Sequence, residues 1–196
     1  MAWDTERTRR LLLDAASAEF AAHGPAGARI EEISRRAGVN RERIYSYFGS
    51  KAVLFETVLA QRLDAALDAV SVSGVGAAGV GDFAGRYFDA IAADPDLARL
   101  VAWEGLEGTE IVALAERSRR ATRVVDEIMS ALPGVERGAA QELFVTIVTL
   151  CHAWHVMPNL SRVIADGDLD DGRRRGSVML HARAVASSLA TARTGQ

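Results

Sequence analysis

The segment IEEISRRAGVNRERIYSYFGSK, residues 30 to 51, restricts the possible folds more than any other part of the chain. Its first apolar residues recur at helical spacing, at Ile30, Ile33 and Ala37. This spacing predicts a short helix that ends at Gly38, because glycine readily takes the left-handed conformation that follows many helices. Asn40 is a preferred N-cap and predicts a second helix, on which Ile44 and Phe48 form the buried side. Two helices joined by such a short turn are typical of a helix-turn-helix.

The exposed side of the second helix carries residues suited to nucleic acid. A polar and aromatic face remains there, formed by Asn40, Arg43 and Tyr47 and flanked by Arg41, Tyr45 and Ser46. In a helix-turn-helix the second helix enters the major groove of DNA and presents its exposed side chains to the bases. We therefore predict that this helix binds double-stranded DNA.

The start of the third helix adds a basic residue. Ser50 is a preferred N-cap, which makes Lys51 the first helical residue. A cation is unfavourable there because of the helix macrodipole, and a nearby phosphate would reverse that penalty. Lys51 is also the only lysine of the chain, against 22 arginines. We interpret it as a phosphate contact, with an ordinary solvated lysine as the alternative.

Residues 5 to 58 carry a further pattern, Gly38-Val39 followed by Tyr45-x-Tyr47-Phe48-x-x-Lys51-x-x-Leu54. This pattern resembles the DNA-binding domain of the TetR family of transcriptional regulators, and beyond it the resemblance is one of helical layout and length. The resemblance implies that Arg41 and Tyr45 contact base edges, while Arg43, Tyr47 and Lys51 hold phosphates. It also implies repression, a homodimer and a small-molecule effector in the second domain.

The chain departs from the family pattern at Glu42 and Arg43, where the family often has Gly and Thr. Glu42 either accepts a hydrogen bond from a cytosine amino group or stabilises the helix N-terminus, and the sequence leaves both open.

Composition sets the broad class of the protein. The 196 residues carry a net charge of −3, yet residues 1 to 55 hold nine basic against seven acidic residues. The excess is small, but its sign suits a DNA-binding head on an acidic body. No run of 18 apolar residues and no signal-peptide core occur, so we expect a cytoplasmic protein outside the membrane. The one cysteine, Cys151, excludes an internal disulfide.

Apolar residues at helical spacing recur along the whole chain and predict an all-α fold. We expect a helix-turn-helix DNA-binding domain over residues 1 to 50 and a larger helical domain for effector binding and dimerisation over residues 51 to 196. A first helix should end at His23-Gly24-Pro25, and a long helix should run from Lys51 to Val70. Residues 71 to 81 contain four glycines and suggest a flexible connection, after which helical patterning resumes at Asp82.

Two further helices, about residues 139 to 157 and 176 to 192, suggest a subunit interface. The first is apolar nearly all round, and the second is rich in small residues that allow close approach. A two-fold dimer paired through them would place two DNA-binding heads on a pseudo-palindromic operator.

The second domain contains bulky side chains that are able to line an effector cavity. They are Phe83, Tyr87, Phe88, Trp103, Phe144, His152, Trp154 and His155. Each has core packing as its alternative, and a mostly aromatic wall would suit a hydrophobic or aromatic effector.

We expect no enzyme activity, no metal and no cofactor, because no catalytic or metal-ligand pattern stands out. Two alternatives stay open. One is a DNA-binding protein controlled by a partner protein or by no ligand. The other is a helical enzyme or cofactor carrier that uses His152 and His155, which lie three residues apart.

Overall fold

The computed structural model describes residues 2–68, 70–108, 110–165 and 169–191. Every regular element within these residues is an α-helix, which confirms the predicted all-α class. The helices are α1 Ala2–Gly27, α2 Ile30–Ala37, α3 Arg41–Phe48, α4 Lys51–Leu67, α5 Gly76–Ala93, α6 Pro95–Glu107, α7 Leu114–Ala131, α8 Arg137–Val156, α9 Pro158–Ala165 and α10 Asp171–Thr191.

The chain divides into two compact units. The head unit consists of Met1–Ala65 and Asp96–Leu114, and the body unit consists of Ala66–Pro95 and Ala115–Gln196. The head unit therefore contains α6 and most of α4 in addition to the first three helices. The functional division after residue 50 that the sequence suggests stays a prediction.

The head unit is built on an apolar core between its first helices. Phe20 of α1 is fully buried and meets Phe55 of α4 edge to face, with ring centroids 5.3 Å apart. Ile33 of α2 and Ile44 of α3 are also fully enclosed. Each buried side chain of this size stabilises the fold by about 1.5–3 kcal/mol. This core fixes the two short helices, which are too short to be stable alone.

The body unit is organised by the close packing of α5 on α10. The helix α5 begins at Gly76, so the expected flexible connection up to residue 81 is wrong for its second half. A Cβ at Gly85 would lie only 2.8 Å from the sulfur of Met179 on α10. The glycines of α5 thus permit close approach of a neighbouring helix, which outweighs their low helix propensity.

Three other helix boundaries differ from the predictions. The helix α4 ends at Leu67, three residues before the predicted Val70. The helix α1 is interrupted at Gly24, as expected, but a last turn continues beyond it to Gly27. The helix α10 begins at Asp171, five residues before the predicted start. Within the described ranges, no single helix is long and apolar enough to cross a membrane. Only α8 and α9 taken together pass that test of length and composition, and they are bent by 84°.

Candidate nucleic-acid interface and effector region

The turn between α2 and α3 is closed by local hydrogen bonds. Gly38 is left-handed, with φ 63° and ψ 29°, and its N–H donates to the carbonyl of Arg35. The N–H of Val39 donates to the carbonyl of Ser34 at 3.1 Å, which completes a Schellman motif. The side-chain oxygen of Asn40 accepts from the N–H of Glu42 at 3.1 Å. The predicted C-terminal glycine and N-cap are therefore both confirmed.

The helix α3 presents two rows of side chains on either side of its buried stripe. Ile44 is fully buried and Phe48 is 6% exposed. Arg41 and Tyr45 are four residues apart, which makes them neighbours on the helix surface. They form one row, and both are exposed. The second row consists of exposed Arg43 and half-buried Tyr47. Glu42 and Ser46 lie between the rows, on the side opposite the buried stripe.

Arg41 has a charged partner on the preceding helix. Its Nη1 donates to Oε1 of Glu31 at 2.8 Å, and both side chains are exposed. An exposed ion pair contributes little to stability, so Arg41 is able to exchange this partner for another acceptor. Glu32, the residue next to Glu31, pairs instead with Arg35 and Arg36, whose hydrogen bonds lower its pKa to about 2. The Arg41 pair could not be predicted from helical spacing, because it joins residues on two different helices.

Lys51 begins α4 and holds the end of α1. The hydroxyl of Ser50 accepts from the N–H of Val53 at 3.2 Å, which confirms the predicted N-cap. The ammonium of Lys51 donates to the carbonyls of Ala26 and Ala28, both at 3.1 Å. These carbonyls offset the unfavourable position of a cation at a helix N-terminus. A lysine ammonium has three N–H donors, so two are used here.

The predicted effector residues fall in both units. Trp103 lies in the head unit, where its indole N–H donates to the carbonyl of Ala21 at 3.2 Å. The other seven lie in the body unit. There Phe83, Tyr87 and Phe144 form a cluster with ring centroids 6.0–6.4 Å apart.

The two histidines of α8 lie beside aromatic rings of α5. The Tyr87 hydroxyl is 3.3 Å from Nε2 of His152, and the Phe88 ring is 5.8 Å from the His155 ring. Trp154, between them in sequence, donates its indole N–H to Asp171 at 2.7 Å. The structure therefore brings most of the predicted effector residues of the body unit together on facing sides of α5 and α8.

Burial dominates the chemistry of this cluster. Phe83 and Phe88 are at most 1% exposed. Burial, then the neighbouring His155, lowers the pKa of His152 to about 4, and burial also lowers the pKa of His155. Nδ1 of His152 and Nε2 of His155 have no hydrogen-bond partner in the described part of the chain. Neutral histidines whose ring nitrogens lack such a partner are suited to hydrogen bonding with an uncharged ligand.

A metal site in a protein needs several ligating side chains together. Among the described residues, no group of three or more His, Cys, Asp or Glu side chains is arranged to hold a metal ion. Cys151 is fully buried, and burial raises the pKa of its thiol to about 12. A thiol in that state is a poor nucleophile and a poor metal ligand.

Comparison with known proteins identifies the class to which this architecture belongs. Residues 12–58 match the family model of the bacterial regulatory proteins of the tetR family, and residues 79–184 match the tetracyclin repressor-like C-terminal domain. The chain belongs to the TetR family. The transcriptional repressor SCO4008 of Streptomyces coelicolor is 36% identical over 192 residues, covering 93% of this chain and 96% of the relative.

Two other comparisons agree with this membership. The transcriptional repressor NicS of Pseudomonas putida is 30% identical over 173 residues, covering 81% of this chain and 76% of the relative. The crystal structure of a putative transcriptional regulator, SCO4942 of Streptomyces coelicolor, superposes with a TM-score of 0.75 at 30% identity. It covers 90% of this chain and 97% of that chain. This TetR-family protein is therefore a DNA-binding transcriptional regulator and not an enzyme.

Proposed function

We propose that this TetR-family regulator is a cytoplasmic homodimeric repressor, released from a pseudo-palindromic operator by a small hydrophobic or aromatic effector. The observation that carries the proposal is the capped α2–turn–α3 segment, which holds basic and aromatic side chains on both flanks of α3. Two relatives that match most of the chain are named as repressors, which supports repression as the sign of regulation. Bacterial DNA lies in the cytoplasm, where such a protein acts.

Sequence specificity comes from the Arg41 and Tyr45 row in this proposal, and the Arg43, Tyr47 and Lys51 side chains hold phosphates. Asn40 keeps the N-terminus of α3 in place for these contacts through its cap to Glu42. Arg41 must leave Glu31 to reach a guanine, for which arginine is the commonest specific partner.

The dimer in this proposal pairs through α8 and α10, extended by α9. All three helices expose large apolar side chains: Val145, Val156, Leu160, Val163, Ile164, Leu180 and Val185. Such a patch on a soluble protein marks an interaction surface. A two-fold dimer places its two α3 helices about 34–36 Å apart, or a multiple of this, so that they read successive major grooves.

The effector in this proposal binds in the body unit, against the Phe83, Tyr87 and Phe144 cluster and the two histidines of α8. Release requires that the effector favour the state that does not bind DNA by a coupling of roughly 1–3 kcal/mol. The helix α4 is suited to carry this coupling, because it begins at Lys51 in the head unit and ends in the body unit.

The first experiment is selection of bound duplexes from a random DNA pool, followed by binding of the selected duplex across salt concentrations. An inverted repeat with a steep negative salt slope is the expected result. Failure to enrich any sequence would refute the proposed function.

The division between base and phosphate contacts is tested with two alanine variants. Arg41→Ala should lose about 1–3 kcal/mol of discrimination at one operator position, while Lys51→Ala should weaken all sequences alike and flatten the salt slope by about one unit. Arg119→Ala removes an equal charge from the exposed surface of the body unit and serves as the control. Equal, sequence-independent losses in both variants would refute the division.

A second candidate function is a repressor that answers to a partner protein or to no ligand. The complete enclosure of Phe83 and Phe88 favours it, because side chains of this kind serve packing first. A screen of aromatic compounds decides between the two candidates. A compound that both raises the melting temperature and releases the selected operator supports an effector, and a partner or ligand-free mechanism is favoured if none does.

A further inference from the structure

The last turn of α1 contains a break that leaves backbone groups without helical partners. Gly24 has φ 71° and ψ 170°, and the next residue is Pro25. In an α-helix the carbonyl of Ala21 would accept from the N–H of residue 25, but proline has none. The break at Gly24 likewise removes the regular helical partner of the Ala26 N–H. Both groups need partners from outside α1.

The helix α6 supplies those partners from one of its faces. Arg99, Trp103 and Glu107 lie four residues apart and therefore form a stripe along α6. Nε of Arg99 and Nε1 of Trp103 donate to the carbonyl of Ala21 at 3.0 and 3.2 Å. Oε2 of Glu107 accepts from the N–H of Ala26 at 2.7 Å. We call these three side chains the α6 stripe.

Trp103 also closes over the break itself. A Cβ at Gly24 would lie 2.8 Å from Cε3 of the indole ring and 2.7 Å from Oε1 of Glu107. The positive φ already disfavours any other residue at this position. The α6 stripe and the glycine thus define one conformation for residues 24 to 28, which a final hydrogen bond from the Ala28 N–H to the Gly24 carbonyl completes at 3.0 Å.

Residues 24 to 28 also hold the ammonium of Lys51, through two of their backbone carbonyls. Ala26 is the direct link, because its N–H binds Glu107 and its carbonyl accepts from Lys51. The carbonyl of Ala28 provides the second acceptor at 3.1 Å. The position of the Lys51 side chain therefore depends on a turn whose conformation α6 maintains.

We propose that Trp103 and Glu107 are positioning residues for DNA binding, which act through the turn at Ala26 to place Lys51 against a phosphate of the operator. This role rests on the proposed function, in which Lys51 is a phosphate contact. It gives Trp103 a task in the head unit, distinct from the effector wall that the sequence suggested for it. The α6 stripe forms part of the DNA-binding apparatus although it lies 51 to 59 residues beyond the end of α3 in the sequence.

The decisive comparison is Glu107→Ala against Glu107→Gln. Both remove the same negative charge, so electrostatic repulsion from DNA changes equally, but only Gln keeps an oxygen that accepts from Ala26. A hydrogen bond contributes about 0.5–1.5 kcal/mol, so Glu107→Ala should bind the selected operator about 2- to 12-fold more weakly than Glu107→Gln. The loss should be equal for all sequences and should flatten the salt slope. Glu110→Ala, which removes an exposed carboxylate three residues further along the chain, is the control.

A double-variant cycle separates positioning from a general loss of stability. In the background of Lys51→Ala, Glu107→Ala should have no further effect on the salt slope, because the contact that it positions is already absent. Trp103→Phe keeps most of the ring but removes the donor to Ala21, and it should show a smaller loss of the same kind. Additive effects of Lys51→Ala and Glu107→Ala would overturn the proposal.

A measurement without DNA distinguishes failure of this proposal from failure of the proposed function. Because Lys51 is the only lysine, protein labelled with nitrogen-15 lysine gives one side-chain amine signal in an NMR spectrum. Its protons should exchange with water slowly in the wild type and in Glu107→Gln, and faster in Glu107→Ala. Equal exchange in all three would overturn the positioning role whatever the DNA results. Suppose that exchange is slower in the wild type than in Glu107→Ala but that Lys51→Ala leaves the salt slope unchanged. That result would refute the phosphate contact, and the positioning role with it.

Discussion

Acid should destabilise the body unit through His152, a side chain held neutral by its surroundings. Burial lowers its pKa from 6.5 to about 4, with further contributions from His155 on the same helix and from Arg117 on α7. The Tyr87 hydroxyl of α5 lies 3.3 Å from its Nε2. The unfolded chain therefore binds a proton on this imidazole at a higher pH than the folded chain does. The corresponding stability is present above about pH 6.5 and is lost as the pH falls towards 4.

The size of the effect follows from the two pKa values. A difference of about 2.5 pKa units corresponds to about 3 kcal/mol when the loss is complete. Between about pH 7 and pH 5 the linkage relation gives a loss of about 2 kcal/mol from this one group. His155, whose pKa is also lowered by burial, adds a loss of the same sign to the wild type and to a His152 variant.

The assay is urea unfolding at these two pH values, at one protein concentration because a dimer gains stability with concentration. Between pH 7 and pH 5, the free energy of unfolding of the wild type should fall by about 2 kcal/mol more than that of His152→Gln, whose side chain cannot titrate. His181→Gln is the matched control, because His181 is an exposed histidine of the same unit. It should keep the full pH dependence of the wild type. If His152→Gln loses as much stability as the wild type, burial does not hold His152 neutral and the reasoning fails.

Two further predictions concern the turn of the head and the core of the body. Gly38→Ala should lower the free energy of unfolding by about 1–2 kcal/mol, because φ is 63° while nothing lies within 4 Å of the added Cβ. Gly105→Ala, at a helical site that is equally open, should instead raise it by about 0.5–1 kcal/mol, and denaturant titration of both variants measures the contrast. Cys151 should resist iodoacetamide at about pH 8 in the folded protein and react after unfolding, which mass spectrometry detects. Rapid alkylation of the folded protein would contradict the burial of its thiol.

Features of the fold that depend on neighbours in sequence could be predicted. The left-handed Gly38, the cap at Asn40 and the cap at Ser50 each satisfy hydrogen bonds within three or four residues. The stripe of Ile44 and Phe48 follows from helical spacing alone. The DNA-binding segment is thus visible in the sequence because its geometry is determined locally.

Features that depend on distant partners could not be predicted in the same way. The glycines before Asp82 suggest flexibility when they are considered alone, but the helix starts at Gly76, and at Gly81 the Arg183 side chain of α10 lies where a Cβ would be. Trp103 resembles a cavity residue by its type, whereas its indole N–H meets a carbonyl 82 positions earlier in the chain. Arg41 and Glu31 pair across a turn, which no periodicity reveals.

Lys51 shows how a local argument identifies the right residue and only part of its environment. The sequence indicates that a cation at the start of α4 needs a negative partner, and from this we infer a phosphate. The structure supplies two carbonyl oxygens at 3.1 Å, which meet part of that need within the chain itself. The two partners are compatible, because carbonyls that orient an ammonium leave its charge unneutralised and its third donor available. If Lys51 contacts a phosphate, Lys51→Ala must make the salt dependence of DNA binding less steep. If its role is purely structural, the same substitution lowers stability and leaves the salt dependence unchanged.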